Sequence, residues 1–194
     1  MTGPEADAQP PGRLYSDLFQ DASHFEERFV DDLDRLAAMS AALKTLGLRV
    51  VLTSGSFDMI HEGHSRYLEA ARSLGGFLIV GVDSDEKVRR RKGPSRPAVP
   101  EMERLRMVTH QRGVGIVTLK HADHEQWALI KAVRPGVLVA TAETYTAAEV
   151  ARLESEFCDR VVVLDRMSTV STSARLRLIH LENSAHSTDP DPEP

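Results

Sequence analysis

The chain has 194 residues, of which 41% are hydrophobic and 27% charged, and its formal net charge at pH 7 is −5. This length and composition fit one globular domain with a sizeable core, and the negative charge argues against nucleic-acid binding. The single cysteine, Cys158, excludes an intramolecular disulfide and a cysteine-rich metal site. No apolar run approaches the roughly 18 residues of a membrane span, and no secretion signal is visible. We therefore expect a cytoplasmic protein with no membrane partner.

The two ends differ in composition from the centre. Residues 1–12 and 183–194 are poor in large apolar side chains and rich in Pro, Asp, Ser and Glu, which predicts disorder. Next to the first of these ends, apolar residues recur every three or four positions, at Phe25, Phe29, Leu33, Leu36, Met39, Leu43 and Leu46. The period predicts one amphipathic helix of about 20 residues, which either packs on the core or serves as a lid or dimer element. The expected division is an irregular start (1–21), an N-terminal helix (22–47), a main domain (48–182) and a disordered tail (183–194).

Strands and helices alternate from Leu48 onward. The predicted strands are Arg49–Thr53, Phe77–Val82, Gly115–Leu119, Val137–Ala140 and Arg160–Leu164. The predicted helices are Gly63–Leu74, Pro100–Gln111, His124–Val133 (with Asp123 as its N-cap), Ala147–Phe157 and Ser171–Leu181. Short, continuously apolar strands are typical of a parallel sheet covered on both faces. The fold class is therefore α/β, a Rossmann-like doubly wound parallel five-stranded sheet with helices on both faces and an N-terminal helical extension.

Ligands of such sheets bind beyond the carboxyl ends of the strands. The loops expected at that edge are Ser54–His64, Asp83–Arg96, Thr141–Tyr145 and Asp165–Ser173. In the first of them, small residues precede a helix start, and exposed backbone N–H groups at such a junction favour phosphate. Neither the Gly-x-Gly-x-x-Gly dinucleotide fingerprint nor a P-loop is present. His61 and His64 flank Gly63 at this junction, so we interpret them as phosphate donors rather than as structural histidines.

Two further segments offer groups for phosphate. Arg89-Arg90-Arg91-Lys92 is followed by Gly93-Pro94 and Pro97, so we expect a mobile loop that gathers cations around polyphosphate rather than one regular helix. The alternative is a solvated charged surface. The second segment, Arg166 to Ser173, carries hydroxyl groups at the start of the last predicted helix, which suits either phosphate or a plain N-cap.

The three segments together resemble a known family. Gly55-Ser56-Phe57-Asp58-x-x-His61-x-Gly63-His64 is similar to the signature of the cytidylyltransferase-like branch of nucleotidyltransferases. Lys92-Gly93-Pro94-Ser95-Arg96-Pro97, with Arg104 after it, resembles that family's basic loop, especially in the adenylyltransferases that act on heptose 1-phosphate. Arg166 and Ser171-Thr172-Ser173 resemble its closing motif. Enzymes that use CTP and glycerol 3-phosphate are the next most similar branch.

The resemblance implies a mechanism. A phosphate of a small acceptor attacks the α-phosphorus of a nucleoside triphosphate in line, with Mg²⁺ on the polyphosphate, and pyrophosphate leaves. Such chemistry depends on orientation and charge neutralisation. The catalytic residues implied are His61, His64, Lys92 and Arg96. The nucleotide-binding residues expected are Ser54, Gly55, Ser56, Phe57, Asp58, Thr141, Glu143, Arg166, Ser171, Thr172 and Ser173. We assign Asp83 and Arg104 to the acceptor. Asp58 orients a histidine or a hydrated metal, and no direct protein ligand of the metal is otherwise expected.

One departure from the family pattern concerns the loop after the fourth strand. The family often has Lys-Gly-Gly-Asp or Met-Gly-Asp-Asp there, near the base, whereas this chain has Ala140-Thr141-Ala142-Glu143. Glu143 is the acid available to replace the missing aspartate. The basic loop favours ATP and a sugar phosphate. The alternatives are a CTP-dependent enzyme acting on a polyol phosphate or phosphonate, and an inactive nucleotide sensor. The resemblance also implies a homodimer.

Overall fold

The computed structural model describes residues 24–165. Its helices are α1 (Phe25–Arg28), α2 (Leu33–Thr45), α3 (Glu62–Ser73), α4 (Asp85–Lys92), α5 (Glu101–Thr109), α6 (Ala128–Val133) and α7 (Ala147–Glu156). Its strands are β1 (Val50–Gly55), β2 (Phe77–Asp83), β3 (Val114–Lys120), β4 (Val137–Ala140) and β5 (Arg160–Val163). Both predicted disordered ends and the predicted helix Ser171–Leu181 lie outside the described residues.

The five strands form one parallel sheet in the order β3-β2-β1-β4-β5. In the central strand, Leu52 is in register with Ile79 on one side and with Leu138 on the other. The chain winds outward from β1 to β3 and then crosses back to β4. This reversal creates a crevice at the carboxyl ends of β1 and β4, which is where open α/β sheets bind ligands. The predicted fold class is confirmed.

Helices cover both faces of the sheet because successive strand residues point to opposite sides. On one face, Val51 and Val80 pack with residues of α1, α3 and α5. On the other, Leu52 and Ile79 pack with residues of α2, α6 and α7. We name these the α3 face and the α6 face. Residues 56–64, which follow β1 and which we call the histidine loop, pack on the α3 face, since Phe57 belongs to that cluster.

The prediction of one continuous N-terminal helix is wrong. The helix breaks between α1 and α2, where Phe29 forms an isolated parallel bridge with Val117 and the Val30 N–H donates to the Val117 carbonyl at 3.0 Å. The Arg28 guanidinium donates to two carbonyls of β3, those of Val114 and Gly115. β3 is an edge strand, and its unpaired backbone groups gain partners from this segment. Those hydrogen bonds compensate for the interrupted helix.

The prediction of a mobile basic loop is also wrong, because residues 85–92 form a regular helix, α4. The Ser84 hydroxyl caps it by accepting from the Lys87 N–H at 3.2 Å. The helix ends at Gly93, whose φ of +95° is readily adopted only by glycine. Gly93-Pro94 does interrupt the helix, as predicted. The interruption comes after the basic residues, however, so their cations are held at defined positions on a helix.

The helix predicted from His124 begins four residues late. Trp127 precedes α6 with a left-handed φ of 64°. Because this conformation is incompatible with a right-handed α-helix, the helix cannot include Trp127 or extend continuously to His124. Asp123 therefore does not cap this helix, and residues 121–127 form a loop instead. This loop lies beyond the end of β3, at the same edge of the sheet as the histidines.

Candidate active site

The loop between β1 and α3 has an unusual backbone. Phe57 and Met59 both have positive φ, 45° and 53°, which costs free energy for residues other than glycine. Packing compensates at Phe57, whose ring is buried and lies 5.6 Å from the ring of His64. A Cβ at Gly55 would lie 3.3 Å from the Phe57 ring, so the glycine lets the ring fold back over the strand. The loop is thereby held in one shape.

The two histidines begin α3 and share its capping hydrogen bonds. His61 Nδ1 accepts from the Gly63 N–H at 3.1 Å, and His64 Nδ1 accepts from the His61 N–H at 3.4 Å. A neutral imidazole that accepts at Nδ1 carries its proton on Nε2. The ring centroids are 4.1 Å apart. The capping geometry therefore makes Nε2–H the hydrogen-bond donor of each ring.

His64 is neutral at physiological pH. Burial is the main cause that lowers its pKa to about 4, and the nearby His61 and Lys92 lower it further, while the Asp58 charge acts in the opposite direction. A neutral donor loses less hydration than an imidazolium when it enters a dry site. His64 can therefore donate to a phosphate oxygen without first being protonated.

Lys92 reaches this loop from the last turn of α4. Its ammonium donates to the Ser56 hydroxyl at 2.9 Å. Burial lowers the pKa of Lys92, and the nearby Arg91 and Arg96 lower it further. An anion bound here would relieve that repulsion between cations. The predicted meeting of the basic segment with the histidine loop is therefore present in the structure.

Asp58 and Arg96 form a buried ion pair. Arg96 Nη2 lies 2.6 Å from Asp58 Oδ2, and both side chains are less than a tenth exposed. The same carboxylate accepts from the N–H groups of Ala98 and Val99 at 3.1 Å. Asp58 thus ties the segment after α4 to the histidine loop, and its expected role in orienting a histidine or a hydrated metal stays a prediction. Arg96 is held as a partner of Asp58 beside the site.

Arg104 is fully buried, so the structure leaves no surface on it for a ligand. Its guanidinium donates to the carbonyls of Ser56 and Val99 at 2.5 and 2.9 Å and to the Asp85 carboxylate at 2.7 Å. These contacts join the start of α4 to the histidine loop. The expected direct contact with the acceptor is therefore replaced by a positioning role.

Asp83, at the end of β2, is also buried and paired. Arg91 Nη2 lies 2.9 Å from Asp83 Oδ2, and Lys120 Nζ lies 3.5 Å from Asp83 Oδ1. Lys120 also donates to the Ser54 hydroxyl at 2.9 Å. Sequence reasoning missed Lys120 and the pairing of Arg91. The available signal for Lys120 was its place at the carboxyl end of a buried strand, next to the edge where ligands bind.

The loop after β4 is a turn closed by its own threonines. The Thr144 N–H donates to the Thr141 carbonyl at 2.9 Å, and the two hydroxyls are 3.0 Å apart. Glu143 is exposed at its tip. Thr141 and Glu143 follow the carboxyl end of β4, so this loop lies at the predicted edge of the sheet. The contact of these two residues with the nucleotide stays a prediction. Four predicted site residues lie outside the described part of the chain: Arg166, Ser171, Thr172 and Ser173.

The described residues do not form a protein metal centre. Between residues 24 and 165 no group of three or more His, Cys, Asp or Glu side chains is placed to hold an ion. Asp58 and Asp83 already face cations, and the donors of the site suit anions. In the same part of the chain, none of the helices has the length and apolarity required to span a bilayer.

Comparison with known proteins agrees with this geometry. A family model described as cytidylyltransferase-like matches residues 52–184. The bifunctional protein HldE of a Nitratiruptor species is 36% identical over 148 residues, which cover 76% of this chain and 31% of that protein. HldE of Geotalea uraniireducens is 37% identical over 171 residues, which cover 86% and 34%. The chain thus spans about a third of the length of these curated relatives.

Solved structures share the architecture. The lipopolysaccharide core biosynthesis protein from Thermoplasma volcanium is 25% identical with a TM-score of 0.53, and the match covers 64% of this chain and 100% of that one. Pantoate-beta-alanine ligase from Francisella tularensis is 10% identical with a TM-score of 0.56, over 82% and 77% of the two chains, and shows the fold alone. The family match spans most of the chain and includes the histidine loop. The chain therefore belongs to the cytidylyltransferase-like family and carries a nucleotidyltransferase enzyme domain.

Proposed function

We propose that the protein is an adenylyltransferase that transfers AMP from ATP to a sugar phosphate and releases pyrophosphate. The observation that carries this proposal is the pair His61 and His64, whose Nδ1 atoms accept backbone hydrogen bonds while Lys92 approaches the same loop. This is a set of donors for polyphosphate with no nucleophile among them. The HldE relatives and the description of the Thermoplasma protein support a sugar acceptor.

In the proposed reaction an oxygen of the acceptor phosphate forms a bond to the α-phosphorus of ATP. The bond between that phosphorus and the α,β-bridging oxygen breaks, and its electron pair stays on the departing pyrophosphate. Negative charge therefore grows on the leaving group. The Nε2–H groups of His61 and His64 and the ammonium of Lys92 would stabilise it. Arg96, held by Asp58, would add positive potential from beside the loop.

Mg²⁺ would enter this site on the nucleotide. The phosphate oxygens and water would hold it, because the carboxylates of Asp58 and Asp83 are engaged by cations and Mg²⁺ prefers oxygen ligands. The ion would supply charge neutralisation of the polyphosphate. On the protein side, Ser54, Gly55, Ser56 and Phe57 would contact the nucleotide through the loop, and the outlying Arg166 and Ser171 to Ser173 would contact its β- and γ-phosphates.

The alternative nucleotide is CTP, with a polyol phosphate or a phosphonate as acceptor. The turn at Thr141 and Glu143 would decide, because purine and pyrimidine bases differ in size and in hydrogen-bonding edge. A panel of the four nucleoside triphosphates with heptose 1-phosphate and with glycerol 3-phosphate, read by pyrophosphate release, tests both. Turnover with ATP and heptose 1-phosphate is the expected result. Turnover only with CTP would contradict the assigned base, and no turnover with any pair would contradict the enzyme.

The second candidate, an inactive nucleotide sensor, is favoured only by the altered loop after β4. His64→Ala separates the two. We expect the rate to fall by about 10² or more, since donors to transition-state charge have about that effect, with ATP affinity changing much less. His110→Ala, which removes an exposed histidine at the end of α5, is the matched control and should keep the wild-type rate. The homodimer remains a prediction, which the solution mass would test.

A further inference from the structure

A cavity opens at the same edge of the sheet as the histidine loop, on the α6 face. It has a volume of about 210 Å³. Its wall combines aromatic and apolar side chains with cations and hydroxyls, which is typical of sites for small polar molecules. The wall includes Ser54, Lys87, Lys120, His124, Trp127 and Leu129. Of the residues expected to bind the nucleotide, those in the described part of the chain contribute only Ser54 to this wall.

The cavity and the histidine loop lie on opposite sides of the end of β1. Phe57 anchors the loop on the α3 face, whereas Trp127 and Leu129 belong to the α6 face. Ser54 lines the cavity, and Ser56, two residues on, receives Lys92. An in-line displacement requires the attacking oxygen to approach from the side opposite the leaving group. If His61 and His64 hold the leaving pyrophosphate, the cavity on the α6 face offers the acceptor a place on the other side of the end of β1.

The cavity has an excess of positive charge at the end nearest β1. The single carboxylate of Asp83 faces both Arg91 and Lys120, and Lys87 is close enough that its charge, with that of Arg91, lowers the pKa of Lys120, for which burial is the main cause. Asp83 lies behind Lys120 rather than in the wall, and the carboxylate that does line the cavity, that of Glu125, is 3.1 Å from the ammonium of Lys131. An anion beside Lys120 would be stabilised there.

We propose that this cavity is the acceptor subsite and that Lys120 binds the attacking phosphate of the acceptor, with Trp127 and Leu129 against its carbon skeleton. The proposal rests on the proposed function for the identity of the acceptor as a phosphorylated small molecule. It replaces Arg104, whose guanidinium is fully engaged, as the cation that selects the acceptor. Asp83 then acts by holding Lys120 beside Ser54.

Trp127 is the only tryptophan of the chain, so its fluorescence reports on the cavity without any need for turnover. We expect heptose 1-phosphate, added without nucleotide, to change this fluorescence in a saturable way, and unphosphorylated heptose to have at least tenfold lower affinity. Lys120→Gln should weaken the binding of heptose 1-phosphate by about tenfold to a hundredfold, because a charge-assisted hydrogen bond is lost. Lys120→Arg should restore most of the affinity.

The control is Arg89→Gln, which removes the same charge from an exposed position of α4 and should leave the affinity within about twofold of wild type. In steady-state assays Lys120→Gln should raise the KM for the acceptor at least tenfold and leave that for ATP within about threefold. Lys87→Gln, which changes another cation of the wall, should act in the same direction with a smaller change. It serves as the second variant if Lys120→Gln proves unstable.

The outcomes separate the two proposals. A fluorescence change that depends on Lys120, without pyrophosphate release, would contradict the adenylyltransferase and support the subsite. Turnover with an unchanged Trp127 signal, or with an acceptor KM insensitive to both lysine variants, would overturn the subsite and leave the reaction standing. A rise in the KM for ATP alone would also overturn the subsite, since it would place the nucleotide in this cavity.

Discussion

Acid should destabilise the folded protein through His64. Its pKa is about 4 in the folded state against an ordinary 6.5. Above pH 6.5 the imidazole is neutral in the folded and the unfolded chain and has no effect on their balance. Between pH 6.5 and pH 4 the unfolded chain takes up a proton that the folded chain does not. The free energy of unfolding must therefore fall as the pH falls through this window.

The magnitude follows from the same two values. Each unit of difference in pKa corresponds to about 1.4 kcal/mol. A pH of 4.5 is two units below the pKa of the imidazole in the unfolded chain, whereas in the folded chain the imidazole has only begun to protonate at this pH. His64 should thus remove about 2 to 3 kcal/mol of stability between pH 7 and pH 4.5, a large part of the roughly 5 to 15 kcal/mol that a domain has in total.

Urea unfolding of wild type and of His64→Asn at pH 7 and pH 4.5 measures this effect. The asparagine amide can still accept from the His61 N–H, and carboxylates that titrate in the same range contribute equally to both proteins. The loss on acidification should be smaller in the variant by about 2 to 3 kcal/mol. His110→Asn is the control and should lose as much as wild type. Equal losses in wild type and His64→Asn would refute the reasoning.

Three further predictions concern stability and reactivity. Asp58→Ala should lower the free energy of unfolding by about 3 to 5 kcal/mol, because it leaves the buried charge of Arg96 unpaired. The control Asp123→Ala, at the exposed surface, should change the free energy of unfolding by less than about 0.5 kcal/mol. A similar small loss at both positions in urea unfolding would contradict this. Arg28→Ala should lower the free energy of unfolding by about 1 to 3 kcal/mol, since two carbonyls of β3 lose their charged donor, and should leave the KM values unchanged. A melting temperature equal to that of wild type would show that the edge of β3 needs no such partner. Burial raises the pKa of Cys158 from 9.0 to about 11, so at pH 8 its alkylation should be about 100-fold slower in the folded protein than in urea, and equal rates would show that the thiol is exposed.

The order of the strands could be read from the chain because it depends on local pattern. Val137–Ala140 is a strand with the predicted bounds, and the other described strands differ from prediction by one or two residues at one or both ends. Short, continuously apolar runs are typical of the buried strands of a parallel sheet, so these runs predicted strands. The histidine loop was likewise predictable, because a motif of ten residues contains all the groups that cap α3.

The break between α1 and α2 was not predictable, because it depends on a strand far along the chain. The apolar period from Phe25 to Leu46 continues through the extended residues, so periodicity alone cannot reveal the interruption. What decides it is the edge of β3, where Val117 offers backbone groups to Phe29 and Val30. The same holds for Trp127, whose left-handed backbone conformation follows from how the chain returns from β3 to the α6 face.

The amino-acid sequence by itself determined the five strands and the groups that the histidine loop offers, because both rest on residues within a few positions of one another. Only the tertiary structure decided which charges remain for a ligand. Asp58 is engaged by Arg96 and by backbone 40 residues away, and Arg104 reaches back to Ser56. Lys120, unremarkable in sequence, stands beside Ser54. In a buried site the electrostatic interactions of a charge are dominated by the groups within a few ångströms of it. Which groups these are depends on how strands distant in sequence lie side by side.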